Sequence, residues 1–374
     1  MRVALLVTHL MGSGHLQRML AVARALARAG ARPTVISGGR PLAHLDAGGV
    51  ELIQLPPVSA DGLDYKTLLG PDGRPADAAL MAARRAAIAR ALSAPPPDAL
   101  VVELYPFGRR QLAEEFEAAI AAMAPGAPVF CSIRDVLEPP RKPARVAWTM
   151  ARLAPFRAIL AHGDPALTPL SLSWPEADAL AGRLIHTGYV AEPPPPAEPD
   201  GPGAGEALVS VGGGAIGRRL LEMAALAARG SALRWRLLVG GADAAAEAAR
   251  LAALGPALAE PARPDYRRML GRAAVSVSLC GYNTAVEAAL SPTPALLVPM
   301  EEGGEREQLI RARAFAGLEG IEVLRIGDLT PERLARAAEA AAARPRRPAR
   351  LAADGAARAA EAILAACAGG RAQE

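Results

Sequence analysis

The sequence predicts an α/β protein built from two doubly wound domains, and three observations carry that reading. An apolar run at residues 2–7 leads through a glycine-containing turn into an amphipathic helix. The same order of apolar run, glycines and helix begins again near residue 207. Between them, residues 191–205 read AEPPPPAEPDGPGAG, with no apolar side chain larger than Ala or Pro, the composition of a linker with a stiff proline part and a flexible glycine part. Domains over 1–190 and 206–350 follow, with a C-terminal helix within 351–374. A chain of 374 residues has room for two domains of ordinary size, and the strand–turn–helix order makes each Rossmann-like.

Composition narrows the function. The chain is 51% hydrophobic with 3% aromatic residues, which excludes a disordered polymer and suits a helix-rich α/β fold. A net charge of +4 is too small to argue for nucleic acid. It would suit an anionic substrate or loose attachment to an anionic membrane face. No apolar run approaches the ~18 residues of a transmembrane helix. The opening MRVALLVTHLM has a short apolar core, no A-x-A site and an immediate glycine turn, so it reads as a first strand rather than a signal peptide. Cys131, Cys280 and Cys367 are far apart and match no metal spacing; a reducing cytoplasm is the natural compartment. No metal and no bound cofactor are expected, and oligomeric state is left open.

In the first half, residues 2–7 form a buried parallel strand. Met11-Gly12-Ser13-Gly14-His15 is the turn, with a helix from about residue 16, where Leu16, Met19, Leu20, Ala23 and Leu26 share a face. The turn lacks the last glycine of G-x-G-x-x-G, and Gly38-Gly39-Arg40 ends the second strand where a dinucleotide enzyme carries an acidic residue. Both points argue against a nicotinamide enzyme. Strands follow at 34–37 and 51–55, then a polar loop and a helix over 76–92. The strand at 99–102 ends in Glu103, before aromatics and Arg109-Arg110; those at 129–133 and 158–161 end in Arg134-Asp135 and His162-Gly163-Asp164. Ionisable groups at successive strand ends belong either to a site or to a buried structural network. A short strand or turn over 187–190 closes this half.

In the second half, a strand at 207–211 meets Gly212-Gly213-Gly214 and a helix over 216–229, with Arg218 at its start. Glycines there let backbone N–H groups cradle a phosphate, or simply let helix and strand pack closely. Strands at 236–239 and 258–262 and helices at 243–254 and 264–270 lead to the most informative stretch, VSVSLCGYNTAVEAALSPTPALLVPMEEGGEREQLIRAR. A strand ends at Cys280-Gly281-Tyr282-Asn283. Thr284 with Glu287 three residues on is a capping-box pattern that starts a helix over 285–290. A strand over 294–298, a charged loop and a helix from about residue 306 follow. A strand at 322–326, a helix capped by Thr330 with Pro331 in its first turn, a helix over 352–366 and a loose tail from 369 finish the chain.

The segments Gly12–His15, Gly281–Glu287 and Arg306–Gln308 resemble MurG-type glycosyltransferases, family 28 of the two-Rossmann GT-B class; ELYPFGRRQL, SIRD, AHGDP and HTGYV resemble a little-characterised bacterial branch of them. The resemblance implies a cleft between the domains containing Gly14, Glu103, Gly213 and Glu287, and a last helix returning to the N-terminal domain. It implies an inverting, metal-independent sugar transfer from a nucleotide donor, UDP-linked, to an acceptor the sequence does not name. Gly281, Asn283, Thr284 and the Gly212–Gly214 amides with Arg218 would hold the diphosphate. Ala262 and Arg263 would read the base, Glu287 would grip the ribose, and Glu307-Gln308 would hold the sugar. His15 or Glu103 would be the base, with Gly12, Ser13, Gly14, Arg134, Asp135 and His162 on the acceptor or phosphate side. The glycine turn is shorter than MurG's, and Glu307-Gln308 stands for Gln-Gln, so neither a lipid-linked acceptor nor N-acetylglucosamine carries over. Gly12-Ser13-Gly14-His15-Leu16-Gln17-Arg18 also resembles nucleotide-sugar hydrolases, in which His15 would activate water. A nucleotide-sugar-binding subunit without catalysis is the non-enzymatic alternative, discriminated by His15 and Glu287 occurring in one chain.

Overall fold

The structure is a computed structural model, which describes residues 1–42, 45–61, 64–93, 95–196, 198–212, 217–241, 243–345 and 348–371. It divides into two compact units: Met1–Ala191 with Ala352–Glu374, and Glu192–Leu351.

The first unit contains β1 (Arg2–Val7), α1 (Gly14–Arg28), β2 (Arg32–Ser37), β3 (Glu51–Gln54), β4 (Ser59–Asp61), β5 (Asp64–Leu69), α2 (Ala78–Ser93), β6 (Ala99–Glu103), α3 (Ala113–Ala121), β7 (Val129–Arg134), α4 (Pro143–Ala151), β8 (Phe156–His162) and β9 (Leu184–His186). Its main sheet is parallel, in the order β3-β2-β1-β6-β7-β8-β9. The direction of winding reverses between β1 and β6, where doubly wound sheets collect ligands. β1 shows why its run is continuously apolar. Val3, Leu5 and Val7 pack under α1 with Leu16, Met19 and Leu20, while Ala4 and Leu6 pack on the other face with Ile88, Leu100 and Phe116. Both faces are covered, so both alternations must be apolar.

The second unit contains β10 (Glu206–Ser210), α5 (Arg218–Ala227), β11 (Arg234–Val239), α6 (Ala244–Ala252), β12 (Leu258–Pro261), α7 (Tyr266–Arg272), β13 (Val275–Leu279), α8 (Tyr282–Leu290), β14 (Ala295–Val298), α9 (Glu307–Phe315), β15 (Ile321–Val323) and α10 (Pro331–Ala342). Its sheet runs β12-β11-β10-β13-β14-β15, again parallel, with the reversal between β10 and β13. The last helix, α11 (Gly355–Arg371), belongs to the first unit, where Ala359, Ala360, Ile363 and Cys367 join the α1 face of the sheet.

Four elements differ from expectation. α1 starts at Gly14 rather than near residue 16, so His15 lies in its first turn. The loop before α2 holds an antiparallel pair, β4 with β5. The strand expected at 187–190 lies earlier, as β9, because Gly188 has φ +82° and turns the chain out of the ladder. α8 starts at Tyr282, with extended Gly281 (φ −64°, ψ 157°) as its N-cap and no side-chain cap. The helix starts three residues earlier than expected, with Tyr282 buried in its first turn, so the Thr284–Glu287 capping box does not form and Glu287 falls in the second turn. The proline segment also differs from a free linker: its glutamates and carbonyls are bonded to arginines of α7.

Gly38 and Gly39 have a steric reason. A Cβ on Gly38 would sit 2.3 Å from Thr8 Oγ1, and one on Gly39 2.2 Å from the His9 carbonyl oxygen. The loops after β1 and β2 touch too closely for any side chain. Arg84 fastens them from α2: fully buried, it forks onto Glu115 at 2.9 and 2.7 Å and donates to the carbonyl of Gly38 at 2.8 Å.

Candidate active site

At the reversal point of the first unit, three side chains form one hydrogen-bonded group. Glu103 ends β6, while His15 and Arg18 lie three residues apart on one face of α1. His15 Nδ1 is 2.6 Å from Glu103 Oε1, and Arg18 Nη2 donates to the same oxygen at 2.5 Å. Glu103 is fully buried, Arg18 nearly so, and the His15 side chain keeps 14% of its surface exposed. The histidine is therefore the open member of the group.

The electrostatics assign the protons. Burial raises the Glu103 carboxyl, but His15, Arg18 and Arg109 together outweigh it and hold the group down at about 2. Burial also pushes the His15 imidazole down, against the pull of Glu103, with Arg109 and Arg134 adding to the fall. The pair is thus an ionised carboxylate beside a neutral imidazole. A carboxylate can only accept, so the imidazole proton belongs on Nδ1 and the lone pair on Nε2. The imidazole tautomer is thus set by a buried carboxylate, an arrangement that can accept a proton at Nε2. Arg18 entered the sequence reading only as the last residue of the Gly12–Arg18 motif, with no role of its own assigned. Arg109 sits in left-handed backbone (φ 57°), as does Leu104 (φ 66°), both in the turn just after Glu103.

The other candidates of the first unit fall in two groups. Gly12 (φ +60°) makes the turn, Ser13 is the α1 N-cap without a side-chain bond, and Gly14 opens the helix, leaving N–H groups of that first turn uncapped by Ser13. Arg134 is half-buried, and its charge bears on His15. Asp135 and His162 turn inward instead. Asp135 is buried and accepts from the Val136 N–H at 2.7 Å. His162 is fully buried, with Nε2 2.8 Å from Ser132 Oγ and Nδ1 2.8 Å from Thr187 Oγ1. Both its nitrogens are occupied, so it braces β7 and the segment after β9 rather than facing a ligand.

In the second unit, the turn between β13 and α8 is held from behind. Gln308 Oε1 accepts from the Cys280 N–H at 3.0 Å and the Met300 N–H at 3.2 Å, joining the ends of β13 and β14. Arg311 is fully buried, donates to the Cys280 carbonyl at 3.0 Å and to Glu307 Oε1 at 2.8 Å, and lies over the Tyr282 ring. Glu307 and Gln308, placed by resemblance on the donor sugar, are thus buried with these oxygens already engaged. Asn283 and Thr284 lie in the first turn of α8. Glu287 is partly open and 3.5 Å from Arg267 Nε, and burial raises its carboxyl to about 7 despite Arg267. Ala262 follows β12 and donates its N–H to the Val239 carbonyl at 2.7 Å. Arg263 forks onto Asp265 at 2.8 and 2.9 Å, so its guanidinium faces its own loop. Gly212 (φ +79°) leaves β10 and Arg218 begins α5 behind Gly217 (φ +100°); Gly213 and Gly214 lie outside the described residues.

A cavity of about 650 Å³ lined by residues 316–323 with Arg344 and Pro345 brings together no such group. Among the described residues, no cluster of three His, Cys, Asp or Glu side chains could hold a metal ion, and no helix is long and apolar enough to cross a membrane.

No protein-family model matches the chain. Two curated relatives do, both named UDP-N-acetylglucosamine–N-acetylmuramyl-(pentapeptide) pyrophosphoryl-undecaprenol N-acetylglucosamine transferase. The one from Rhizobium leguminosarum is 28% identical over 178 residues, 44% of this chain and 46% of the relative. The one from Rippkaea orientalis is 37% identical over 79 residues, 20% of this chain and 22% of the relative. The chain thus matches less than half the length of either. Among solved structures, MurG of Acinetobacter baumannii aligns with TM-score 0.58 at 17% identity, over 98% of this chain and all of that one. The chain has the GT-B fold. A glycosyltransferase of kitacinnamycin aligns with TM-score 0.64 at 20% identity over 98% of each chain. LpCGTa, solved in complex with UDP, aligns with TM-score 0.56 at 18% identity over 98% of this chain and 94% of its own.

Proposed function

We propose that this MurG-like protein is a glycosyltransferase that moves a sugar from a UDP-linked donor to an acceptor hydroxyl, with inversion and without a metal. The observation that carries the reading is the His15–Glu103 pair, an imidazole whose Nδ1 lies 2.6 Å from an oxygen of a buried carboxylate. The acceptor hydroxyl gives its proton to His15 Nε2 as its oxygen bonds to the anomeric carbon. The bond from that carbon to the diphosphate breaks, and UDP leaves with the electron pair. Glu103 then faces an imidazolium and stabilises the charge formed in the transition state. On the donor side, the α8 N-terminus offers N–H groups and positive partial charge to the diphosphate, and Glu287 accepts from the ribose hydroxyls. The UDP assignment is supported by the curated relatives' names and by LpCGTa.

A second reading, hydrolysis of the nucleotide sugar by water activated at His15, is favoured by Gly12-Ser13-Gly14-His15 with Arg18 in one turn. Incubation with a panel of UDP-sugars, with and without cell extract, separates the two: UDP release only with extract marks transfer, release without it marks hydrolysis. Calorimetric titration with UDP and turnover on His15→Ala and Glu287→Ala test the roles. His15→Ala should lose about 10²–10⁴ in kcat and keep UDP affinity, while Glu287→Ala should chiefly raise the donor KM. Loss of UDP binding in His15→Ala with normal binding in Glu287→Ala would reverse the roles of the two halves.

A further inference from the structure

We infer that Arg267 is a positioning residue of the nucleotide site, tying the proline segment after residue 191 to Glu287 and fixing that carboxylate for the donor. The inference rests on Glu287 being the ribose acceptor, as proposed above.

Arg267 lies in the first turn of α7, and its planar head is divided between two partners. Nη1 donates to Glu192 Oε2 at 2.9 Å, and Nη2 donates to the carbonyls of Glu192 and Pro193, both at 2.7 Å. The Nε edge is left toward Glu287 Oε1 at 3.5 Å. A guanidinium is a rigid fork, so fixing one end fixes the direction of the other. The two carbonyl bonds matter most for this. Glu192 is 63% exposed, and a pair so open to water contributes about 0–1 kcal/mol, whereas carbonyls of a proline-stiffened segment cannot swing away. Glu287 opens into a small recess that Pro194, Pro195 and Pro196 line from the segment and Leu290 lines from α8. The segment is therefore a wall of the recess that holds the candidate ribose carboxylate. It does not depend on Arg267 alone, because Arg268 pairs with Glu198 and Arg272 donates to Asp200 and Pro202 carbonyls.

Charge gives the inference a signature that packing alone would not. The groups facing Glu287 are Arg267 and Tyr266 from α7 and Glu192 from the segment; Arg268 and Glu198 line the same recess. Burial raises the Glu287 carboxyl to about 7, Arg267 opposes the rise and Glu192 adds to it. An ionised carboxylate is the stronger acceptor for ribose hydroxyls. Affinity should then rise as pH climbs through the region where Glu287 ionises. Without Arg267 that rise moves to higher pH.

The test is calorimetric titration of the full chain with UDP-glucose at pH 6, 7 and 8, with dTDP-glucose as a second probe, since neither diphosphodiester titrates in this range. Arg267→Met should bind roughly tenfold more weakly at pH 7, a loss of about 1.4 kcal/mol, with its rise displaced upward. Arg267→Lys keeps the charge without the fork and should fall between, with a near-normal pH profile. That variant also decides the matter if Arg267→Met does not fold. Glu287→Ala should bind weakly with the pH dependence gone. If Glu287→Ala binds weakly but both Arg267 variants match the parent at every pH, Arg267 positions nothing and the inference falls. If Glu287→Ala binds like the parent, or the parent binds neither probe, the reading of Glu287 fails first and takes the inference with it.

Discussion

Glu103→Gln is the sharpest perturbation available, because it changes one buried charge and almost no volume. In the parent, Oε1 takes two bonds, from His15 Nδ1 at 2.6 Å and Arg18 Nη2 at 2.5 Å, while Oε2 is buried with no partner among the described residues. An amide can keep one oxygen in place but places an N–H pair where Oε2 lay. It leaves the Arg18 charge, 2% exposed, without its counter-ion. Removing one partner of a buried ion pair costs about 3–5 kcal/mol, which lowers the melting temperature by roughly 10 °C for a domain of this size. The catalytic effect is separate. In the transition state His15 becomes an imidazolium, and its stabilising anion is gone. A loss of about 10²–10⁴ in kcat is expected, close to that of His15→Ala, with the double variant little worse than either because the two act as one unit. The assay is UDP release from the UDP-sugar that the parent turns over, well below the melting temperature of the variant. Donor KM should stay near the parent value, since the proposed reading puts the nucleotide residues in the other unit. A kcat within about threefold of the parent would refute the reasoning, and Arg109 and Arg134 would become the next groups to examine.

Three further outcomes follow from the same geometry. Gln308→Ala strips the acceptor from the Cys280 and Met300 N–H groups; at about 1–3 kcal/mol for each buried donor left unmade, the urea midpoint should fall and UDP affinity with it, while Gln308→Glu should restore much of both. His15 and His162 are both held well below the ordinary 6.5, to about 3. They stay neutral in the folded chain while the unfolded chain gains protons, so stability falls as pH drops below 6.5 toward 3; Glu103, lowered from 4.5 to about 2, adds a loss from 4.5 downward. Urea midpoints taken from pH 7 to 4 should decline steadily, and a flat profile would contradict neutral buried histidines. Turnover should also survive excess chelator, and loss of activity restored by magnesium or manganese would overturn the metal-independent reading.

Much of the fold was legible in the sequence because the strands are buried on both faces and therefore apolar throughout, as β1, β6 and β13 show. The glycine turns were legible too. What was not legible depends on contacts distant in sequence. Glu103 looked like a strand-end carboxylate, but nothing local says that α1 brings His15 and Arg18 onto one of its oxygens across 88 and 85 residues. His162 and Asp135 read equally as site residues or as a buried network, since a strand-end polar group reads alike whether it faces a ligand or a neighbouring strand; both are buried, and both ring nitrogens of His162 are engaged within the first unit. The Thr284–Glu287 capping box was a sound local pattern overridden by burial of Tyr282. The proline segment looked free because composition reports stiffness, not the arginines waiting for its carbonyls.

The two units repeat one topology and fill its reversal point differently, and the difference argues for a division of labour. In the first, the point between β1 and β6 carries a buried carboxylate, a neutral imidazole and a guanidinium on a single oxygen. Such a group is costly to bury, its positive charge is paired with Glu103, and its most open member is the His15 side chain. It can move a proton. In the second, the corresponding point between β10 and β13 carries glycines and the start of α8, with the charged residues Glu307 and Arg311 paired behind it. That surface offers N–H groups, and its accessible carboxylate, Glu287, sits a turn further along the helix beside Arg267. On the reading proposed above it is the surface for the diphosphate and the ribose, with Glu287 committed to the ribose hydroxyls. The proposed sugar transfer uses both surfaces, the His15–Glu103 group of the first unit for the proton and the α8 start of the second for the donor.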